Sequence, residues 1–391
     1  MYLPALPAIA AEFHTGPSEI QLTLTTFLVG MALGQLVVGP LSDSVGRRRP
    51  LYIGLALYAL TSLGCALAPS AYALAGLRLL QGMAGATGVV IARAIVRDLH
   101  SGVAAVRYFS LLMLITGLGP ILAPTVGAQI LRFTSWRGMF VVLAAVGLLV
   151  PLAVATGLGE TLPPERRRSG GWRDTVAAFR DLLGDRVFVG YVLTLALSFS
   201  TVFAYIAGSS FVLQGLYGVS PQQYGLIFGL NGAGLVAGTQ LNRRLVGRFS
   251  STTLLTAGVL GLAAGGVMVL AVVTIGGLGL AWLLVPLFVV MFGLGLVSPN
   301  GTGLALTRHP RAAGTASALL GALQMGAGAG AAPLAGIAGT GTAVPMGLVM
   351  AVFGTGAAAS LLLTRRRTGT VTATRAVAAA AAAEDPALSG V

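Results

Sequence analysis

Arg78 is the residue whose type and place most call for chemistry. It stands in Leu77-Arg78-Leu79-Leu80-Gln81-Gly82, inside an apolar run over Tyr72–Ala92 that carries no other charge. An arginine within a bilayer span is costly unless it faces a cavity or a partner. Two roles follow: a place in a transport pathway, binding a substrate or coupling to a proton site, or a structural role within a helix bundle. Gln81 lies almost one helical turn further on and can share that face. Gln21, Gln35, Asn231, Gln240, Asn300 and Gln324 are further polar groups in apolar runs. Each can line a path or hydrogen-bond to a neighbouring helix. Tyr205 and Phe211 can stack on a bound ligand or serve as packing.

A second constellation is Gly39-Pro40-Leu41-Ser42-Asp43-Ser44-Val45-Gly46-Arg47-Arg48-Arg49, between the apolar runs Ile20–Ser42 and Leu51–Ala68. Its arginines serve as a topogenic turn, which accounts for Arg48 and Arg49. Asp43, Gly46 and Arg47 suit a sharper role as a latch. Asp43 would sit near the positive N-terminal end of a neighbouring helix, and Arg47 would reach Asp98. A third is Gly117-Leu118-Gly119-Pro120-Ile121-Leu122-Ala123-Pro124 with Gly127. Glycine permits close helix contact, and proline frees a carbonyl and bends the helix.

Enzyme chemistry finds little footing. His14, His100 and His309 fall in loops far apart, and no nucleophile–base arrangement, metal-ligand spacing or phosphate-cradling loop is present. Cys65 is the single cysteine, which excludes an internal disulfide or a cysteine metal site. No cofactor or metal is expected.

The elements that position these residues are set by composition. Of 391 residues, 55% are hydrophobic and 9% charged, whereas a soluble domain carries about a quarter charged. The apolar runs are long and unbroken, which fits membrane helices of about 20 residues and not the short alternating strands of a barrel. Spans are expected near Ile20–Ser42, Leu51–Ala68, Tyr72–Ala92, Tyr108–Leu131, Gly138–Gly157, Val187–Leu213, Tyr224–Leu245, Thr253–Ile275, Trp282–Pro299, Thr315–Ile337 and Val344–Leu363. Met1–Ala10 is apolar but too short to span, and reads as the outer end of a first helix whose beginning is missing.

The net charge of +13 comes from 24 basic residues, all arginine. Those at 47–49, 93–107, 166–186, 243–248, 308–311 and 365–375 fall in alternate loops, 21 on one side; only Arg132 and Arg137 fall on the other. That asymmetry places the arginine-rich side in the cytoplasm. No basic stripe interleaves with aromatics, so no nucleic-acid partner is expected. The region Glu160–Arg186 divides the chain, and Trp172–Leu183 within it reads either as an amphipathic helix on the inner leaflet or as a loose linker. Gly238-Thr239-Gln240-Leu241-Asn242-Arg243-Arg244-Leu245-Val246-Gly247-Arg248 occupies in the second half the place of Gly39–Arg49 in the first, with Asn242 where Asp43 stood. The expected plan is an all-α polytopic membrane protein of two pseudo-repeated six-helix bundles, its first helix truncated. Its parts are a bundle over 1–159, a basic linker over 160–186, a bundle over 187–363 and a cytoplasmic tail over 364–391.

The 39–49 loop resembles the loop between helices two and three of major facilitator superfamily transporters. Arg78-x-x-Gln81-Gly82 resembles that superfamily's fourth-helix motif, and Gly117–Pro124 its antiporter fifth-helix motif, with Ala123-Pro124 departing from the usual paired glycines. Tyr2-Leu3-Pro4-Ala5-Leu6-Pro7, Gln35-Leu36, Arg93–Asp98, Pro299-Asn300 and Ala313–Gln324 resemble the bicyclomycin/chloramphenicol (Bcr/CflA) drug-resistance branch. The resemblance implies proton-driven efflux of small amphipathic drugs by a monomer in the bacterial inner membrane. It makes Arg78, Gln81, Gln35, Asn231, Asn300 and Gln324 pathway candidates, and Gly39, Asp43, Gly46, Arg47 and Asp98 a cytoplasmic gate. Transport of a native metabolite and a non-transporting scaffold are the alternatives. In that branch an aspartate precedes the Met-Tyr-Leu-Pro segment. No acid lies within a span here, so the proton-binding acid is expected upstream of Met1, the alternative being an uncoupled chain.

Overall fold

The computed structural model describes residues 1–100, 108, 111–112, 119, 122–157, 159–167, 172–307, 313–336, 341–361 and 364. Among them the regular elements are helices, with one isolated bridge between Val246 and Phe249. A 3-10 turn, Leu3–Ala5, leads into α1 (Leu6–Glu12). The first half continues with α2 (Pro17–Val45), α3 (Arg48–Ala66), α4 (Ala71–Leu99), α5 (122–130) and α6 (Trp136–Gly157). The connecting α7 (Trp172–Gly184) precedes α8 (Arg186–Phe211), which ends in a π turn over Val212–Leu216. Then come α9 (Pro221–Leu245), α10 (Ser251–Ile275), α11 (Leu280–Thr307), α12 (Ala313–Leu334) and α13 (Val344–Leu361).

Apolar composition drives these helices, because a backbone in lipid must satisfy its own polar groups. Their starts are chemically marked. Ser70, Ser220 and Ser250 accept N–H bonds at the heads of α4, α9 and α10, and Pro17 and Pro221 occupy first turns. By length and apolarity α2, α4, α8, α10, α11 and α13 can cross a bilayer. The helices α3, α6, α9 and α12 have 19, 22, 25 and 22 residues, also about the length of a crossing at ~1.5 Å per residue. Ile53, Leu60, Leu149, Leu152, Leu226 and Trp282 point outward with more than half their surface exposed, as lipid-facing side chains do.

Three expectations change in detail. The run over Trp282–Pro299 does not stop at its proline: α11 continues to Thr307. Pro299 removes one intrahelical N–H donor, and the Gly295 carbonyl it would have met packs on α9, 3.5 Å from Thr239 Oγ1. Likewise α4 runs past Ala92 to Leu99, so Arg93, Arg97 and Asp98 are helical. Of the alternatives for Trp172–Leu183, the helix is the one found. Phe179 and Leu182 dock α7 on Phe188, Leu195, Leu319 and their neighbours at the foot of the second half.

The halves repeat the same crossing. In the first, α2 meets α4 at Gly30, Gly34 and Gly82; in the second, α9 meets α11 at Gly234, Gly238 and Gly295. A Cβ on Gly34 would lie 2.6 Å from the Met83 carbonyl oxygen, one on Gly295 2.5 Å from that of Leu235, and one on Gly82 would strike the Phe27 carbonyl. Backbone touches backbone at these points, as small residues allow between membrane helices.

The apolar cores divide unevenly. At the arginine-poor face a single cluster runs through both halves, joining Tyr2, Leu6, Ile9, Trp136 and Phe140 to Tyr205, Phe211, Tyr224 and Leu283. Toward the arginine-rich face, among the described residues, each half has its own: Val38, Leu51 and Ile91 in the first, Phe188, Leu255, Val297 and Leu361 in the second.

A side chain at Gly82 has nowhere to go, whereas Gly76 on the same helix faces open space. Gly82→Val is expected to cost about 1–3 kcal/mol of overpacking and to lower the melting temperature of the detergent-purified protein by several degrees. Gly76→Ala should leave it unchanged or slightly higher.

Candidate functional site

Arg78 is buried, 5% exposed, in the interior of the first half. Its Nη1 donates to Gln81 Oε1 at 2.6 Å, and Gln81 Nε2 donates to Ser62 Oγ at 2.6 Å. The Ser62 hydroxyl in turn donates to the Tyr58 carbonyl at 2.6 Å, so the chain ends on α3. Three rings surround the guanidinium: Phe27 at 3.9 Å, Tyr2 at 4.7 Å and Phe140 at 5.9 Å from their centroids. Tyr2 is held by a 2.8 Å hydrogen bond between its hydroxyl and Thr23. Ring faces attract a cation, but they do not neutralise it. Among the described residues no carboxylate forms an ion pair with Arg78, and its Nε has no acceptor. The site is a positive charge in an apolar cage with one donor to spare.

The arginine-rich rim holds a second cluster. Arg47, 5% exposed, bonds to Asp43 Oδ1 at 2.5 Å, Asp98 Oδ2 at 2.8 Å and Ser42 Oγ at 2.8 Å. It thereby ties the α2–α3 turn to the end of α4. Gly46 turns the chain with φ +98°, a conformation side-chain-bearing residues rarely adopt. A Cβ there would also lie 2.6 Å from Glu160 Oε2. Glu160 is the member that sequence reasoning missed. Its carboxylate accepts the backbone N–H groups of Arg47 at 2.9 Å and Arg48 at 3.2 Å, at the head of α3, and that of Leu162 at 3.1 Å. Thr161 adds a 3.2 Å bond to Asp98. The carboxylate seated on a helix N-terminus is thus that of Glu160. Asp43, expected there, accepts from the guanidinium of Arg47, the residue that heads α3. The local reason is the i,i+4 spacing of Asp43 and Arg47, which places the nearer cation on Asp43 first. The only signal for Glu160 was a lone acid just after a span.

The pathway candidates do not converge. Arg78 and Gln81 form one group. Asn231 donates to the Tyr205 hydroxyl at 3.0 Å, beneath the stacked rings of Tyr205 and Phe228. Asn300 donates to Asn242 Oδ1 at 2.5 Å, joining α9 to α11 as Asp43, Arg47 and Asp98 join α2 to α4. That pair is a helix-to-helix bond toward the arginine-rich face. Gln35 is buried with its amide against Gly321 of α12, in the other half, while Gln324 is half-buried and Gln240 exposed. Gly39 meets open space. Gly117 and Pro120 lie outside the described residues; Gly119 is exposed, and Pro124 sits beside Thr125, whose hydroxyl crosses to the Gly225 carbonyl at 2.8 Å.

The arginine-poor rim carries an ion pair of its own. Glu12 accepts from Arg137 and, at 2.6 Å, from the Trp136 indole N–H. These donors hold its pKa below the ordinary carboxylate value. For Glu160, burial pushes the pKa up, but the three backbone N–H donors and the nearby Arg167 charge outweigh it and leave the pKa lowered.

A lowered folded-state pKa stabilises above the unfolded value, and the gain is lost as pH falls through the folded one. Glu160→Gln should therefore lower thermal stability modestly at neutral pH. The gap from the parent should close as pH falls below about 4, where the parent carboxylate is itself protonated. A gap that stays constant well below that pH, as the folded carboxylate takes up its proton, would dismiss the carboxylate's charge as the cause.

Comparison with known proteins places this architecture. The sequence pattern of the Major Facilitator Superfamily matches residues 1–333. An MFS-type transporter of Bacillus subtilis (strain 168), YdgK, is 42% identical, covering 90% of this chain and 88% of its own. A bicyclomycin resistance protein homolog of Haemophilus influenzae is 32% identical, covering 88% of this chain and 87% of its own. Among solved structures the nucleoside transporter NupG superposes with a TM-score of 0.73 at 12% identity, covering 93% of this chain and 94% of that one, a likeness of fold.

Proposed function

The chain belongs to the major facilitator superfamily, and we propose that it exports small amphipathic drugs from the bacterial cytoplasm in exchange for protons, by alternating access. It is a multi-pass membrane transporter by that membership. The observation that carries the alternating-access reading is the division of its packing. One apolar core is shared by the halves at the arginine-poor face, while separate cores serve each half toward the arginine-rich face. Two halves built this way can part at one face while they stay joined at the other, which is how a rocking pair exposes a midplane site to each side in turn. The substrate class rests on a relative aligned over most of the chain that is named for bicyclomycin resistance, and it supports the Bcr/CflA branch.

On this reading the arginine-rich face lies in the cytoplasm, with the tail beyond α13, because guanidinium groups are held back on that side. The membrane is the bacterial inner membrane, and one chain suffices. Arg78 supplies a fixed positive charge near the pathway, and its unfilled Nε and ring cage suit a substrate with an acceptor on an aromatic or apolar frame. Gln81 and Ser62 aim the guanidinium. Asp43, Gly46, Arg47 and Asp98 act as the cytoplasmic gate, closing when the outer face opens. Gln35, whose amide meets Gly321 of the other half, is the remaining pathway candidate between the halves, whereas Asn231 and Asn300 are engaged by neighbouring helices.

The full-length protein expressed in a drug-sensitive bacterium should raise resistance to bicyclomycin or chloramphenicol. Everted vesicles should show uptake of the drug that collapses when the proton gradient is dissipated. Arg78→Ala should lower that uptake about tenfold or more, the scale of losing a charged hydrogen-bonding group, while the protein still reaches the membrane. A parent protein that moves neither drug, with or without a gradient, overturns the reading.

A further inference from the structure

Alternating access requires the halves to let go of one another at the arginine-poor, outer face, so what holds that face shut sets the cycle. We propose that it is locked by hydroxyl groups of one half seated on carbonyls of the other that prolines leave without their helical donor, with Thr25 on Ala329 as the principal bond. This rests on the transport reading above and adds Thr25, Pro333, Ser210 and Pro7 to it as positioning residues.

Within α12 the carbonyl of Ala329 would accept from the N–H of residue 333, but residue 333 is proline and has none. Thr25 Oγ1, on α2 of the other half, donates to that carbonyl at 3.0 Å. The relation is repeated with the halves exchanged. Pro7 leaves the Leu3 carbonyl without the N–H of residue 7; it takes the Leu6 N–H in the 3-10 turn and, at 2.7 Å, the hydroxyl of Ser210 from α8. Gln214 braces this second bond, donating to Ser210 Oγ at 2.8 Å and to the Pro4 carbonyl at 3.1 Å.

The behaviour of other hydroxyls shows why the prolines matter. Thr61, Thr194, Ser200, Thr256 and Thr355 all turn back to the carbonyl four residues earlier in their own helices. That is the ordinary refuge of a hydroxyl in an apolar helix. Thr25 and Ser210 instead reach across, each to a carbonyl with a lone pair left free. When the face parts, Ala329 O in the native chain loses Thr25 and has no helical N–H to fall back on, so the net worth of that hydrogen bond opposes opening. With alanine at 333 the helix would satisfy the carbonyl in both states, and the cost would disappear. Thr125 also crosses, to Gly225 O at 2.8 Å, but that carbonyl keeps the N–H of Gly229, so only Thr25 and Ser210 sit on carbonyls that a proline deprives; the amide bonds of Gln21 to Ala207 O at 3.1 Å and Gln222 to Ala128 O at 3.4 Å are likewise neutral and end on backbone. The outer lock therefore carries no ion pair between the halves among the described residues.

The test is a distance measured by pulsed electron spin resonance on full-length protein in lipid nanodiscs. Nitroxide labels go on Phe133→Cys and Ile275→Cys, both highly exposed at the outer face in opposite halves, with the buried Cys65 left in place. Thr25→Val should raise the ratio of long to short distances about fivefold, the scale of one net hydrogen bond. Thr25→Ser, which keeps the hydroxyl, should restore the parent distribution and show that the fold is intact. In a Pro333→Ala background, Thr25→Val should change the ratio by less than about twofold, because the carbonyl no longer depends on the hydroxyl. An unchanged distribution in Thr25→Val, or an equal shift in both backgrounds, overturns the proposal. Since no drug or proton gradient enters the measurement, its failure leaves the export reading standing, and failure of export leaves this measurement valid.

Discussion

A bilayer interior does not solvate charge, and this structure is arranged around that refusal. Of the 24 guanidinium groups, one sits within the apolar part of a span. Arg78 is tolerated there because a hydrogen-bonded chain through Gln81 and Ser62, and the faces of three rings, replace part of what water would have supplied. In the sequence the other arginines lie at the ends of the apolar runs or between them, which marks where the helices end. Between the rims, glycine lets the helices approach until backbone meets backbone, as at Gly30 and Gly82, because packing takes the place of the hydrophobic effect inside lipid.

The two rims are built with different chemistry. On the arginine-rich side, Arg47 bonds to Asp43 and Asp98 while Glu160 caps α3, so the end of the linker is drawn into the same cluster. Arg47 is itself buried there, so Asp43 and Asp98 are what offset its charge. On the opposite side the halves meet through neutral hydroxyls and amides that end on carbonyls. Such bonds are weak singly and have a definite geometry. The shared apolar core at that face, with Tyr205, Phe211 and Tyr224 against Leu6 and Ile9, supplies the bulk of the closure.

Much of the site was legible because it obeys local rules. The three-residue spacing of Arg78 and Gln81 predicts their contact on one helix face, and they bond at 2.6 Å. The motif that puts Arg47 next to Asp98 is a resemblance carried by a run of consecutive residues. The pairing of Asn242 with Asn300 was hidden, although both residues had been singled out, because their partnership depends on how α9 crosses α11. Glu160 was hidden for the same reason: it follows the last helix of the first half, 113 residues after the backbone it caps.

The sequence by itself determined the class of molecule, the number and direction of most helices, and which face carries the charge, since these follow from apolar length and arginine count along the chain. It also marked Arg78 as exceptional, because a cation in an apolar run is anomalous whatever surrounds it. Tertiary structure alone decided what surrounds it: Phe27 comes from α2, Phe140 from α6 and Tyr2 from the segment ahead of the first turn. It likewise decided that a carbonyl freed by Pro333 would be met by a threonine 304 residues away. A proline announces a vacant acceptor in the sequence, but which donor arrives depends on helix crossing angles, and no local pattern of residues encodes those.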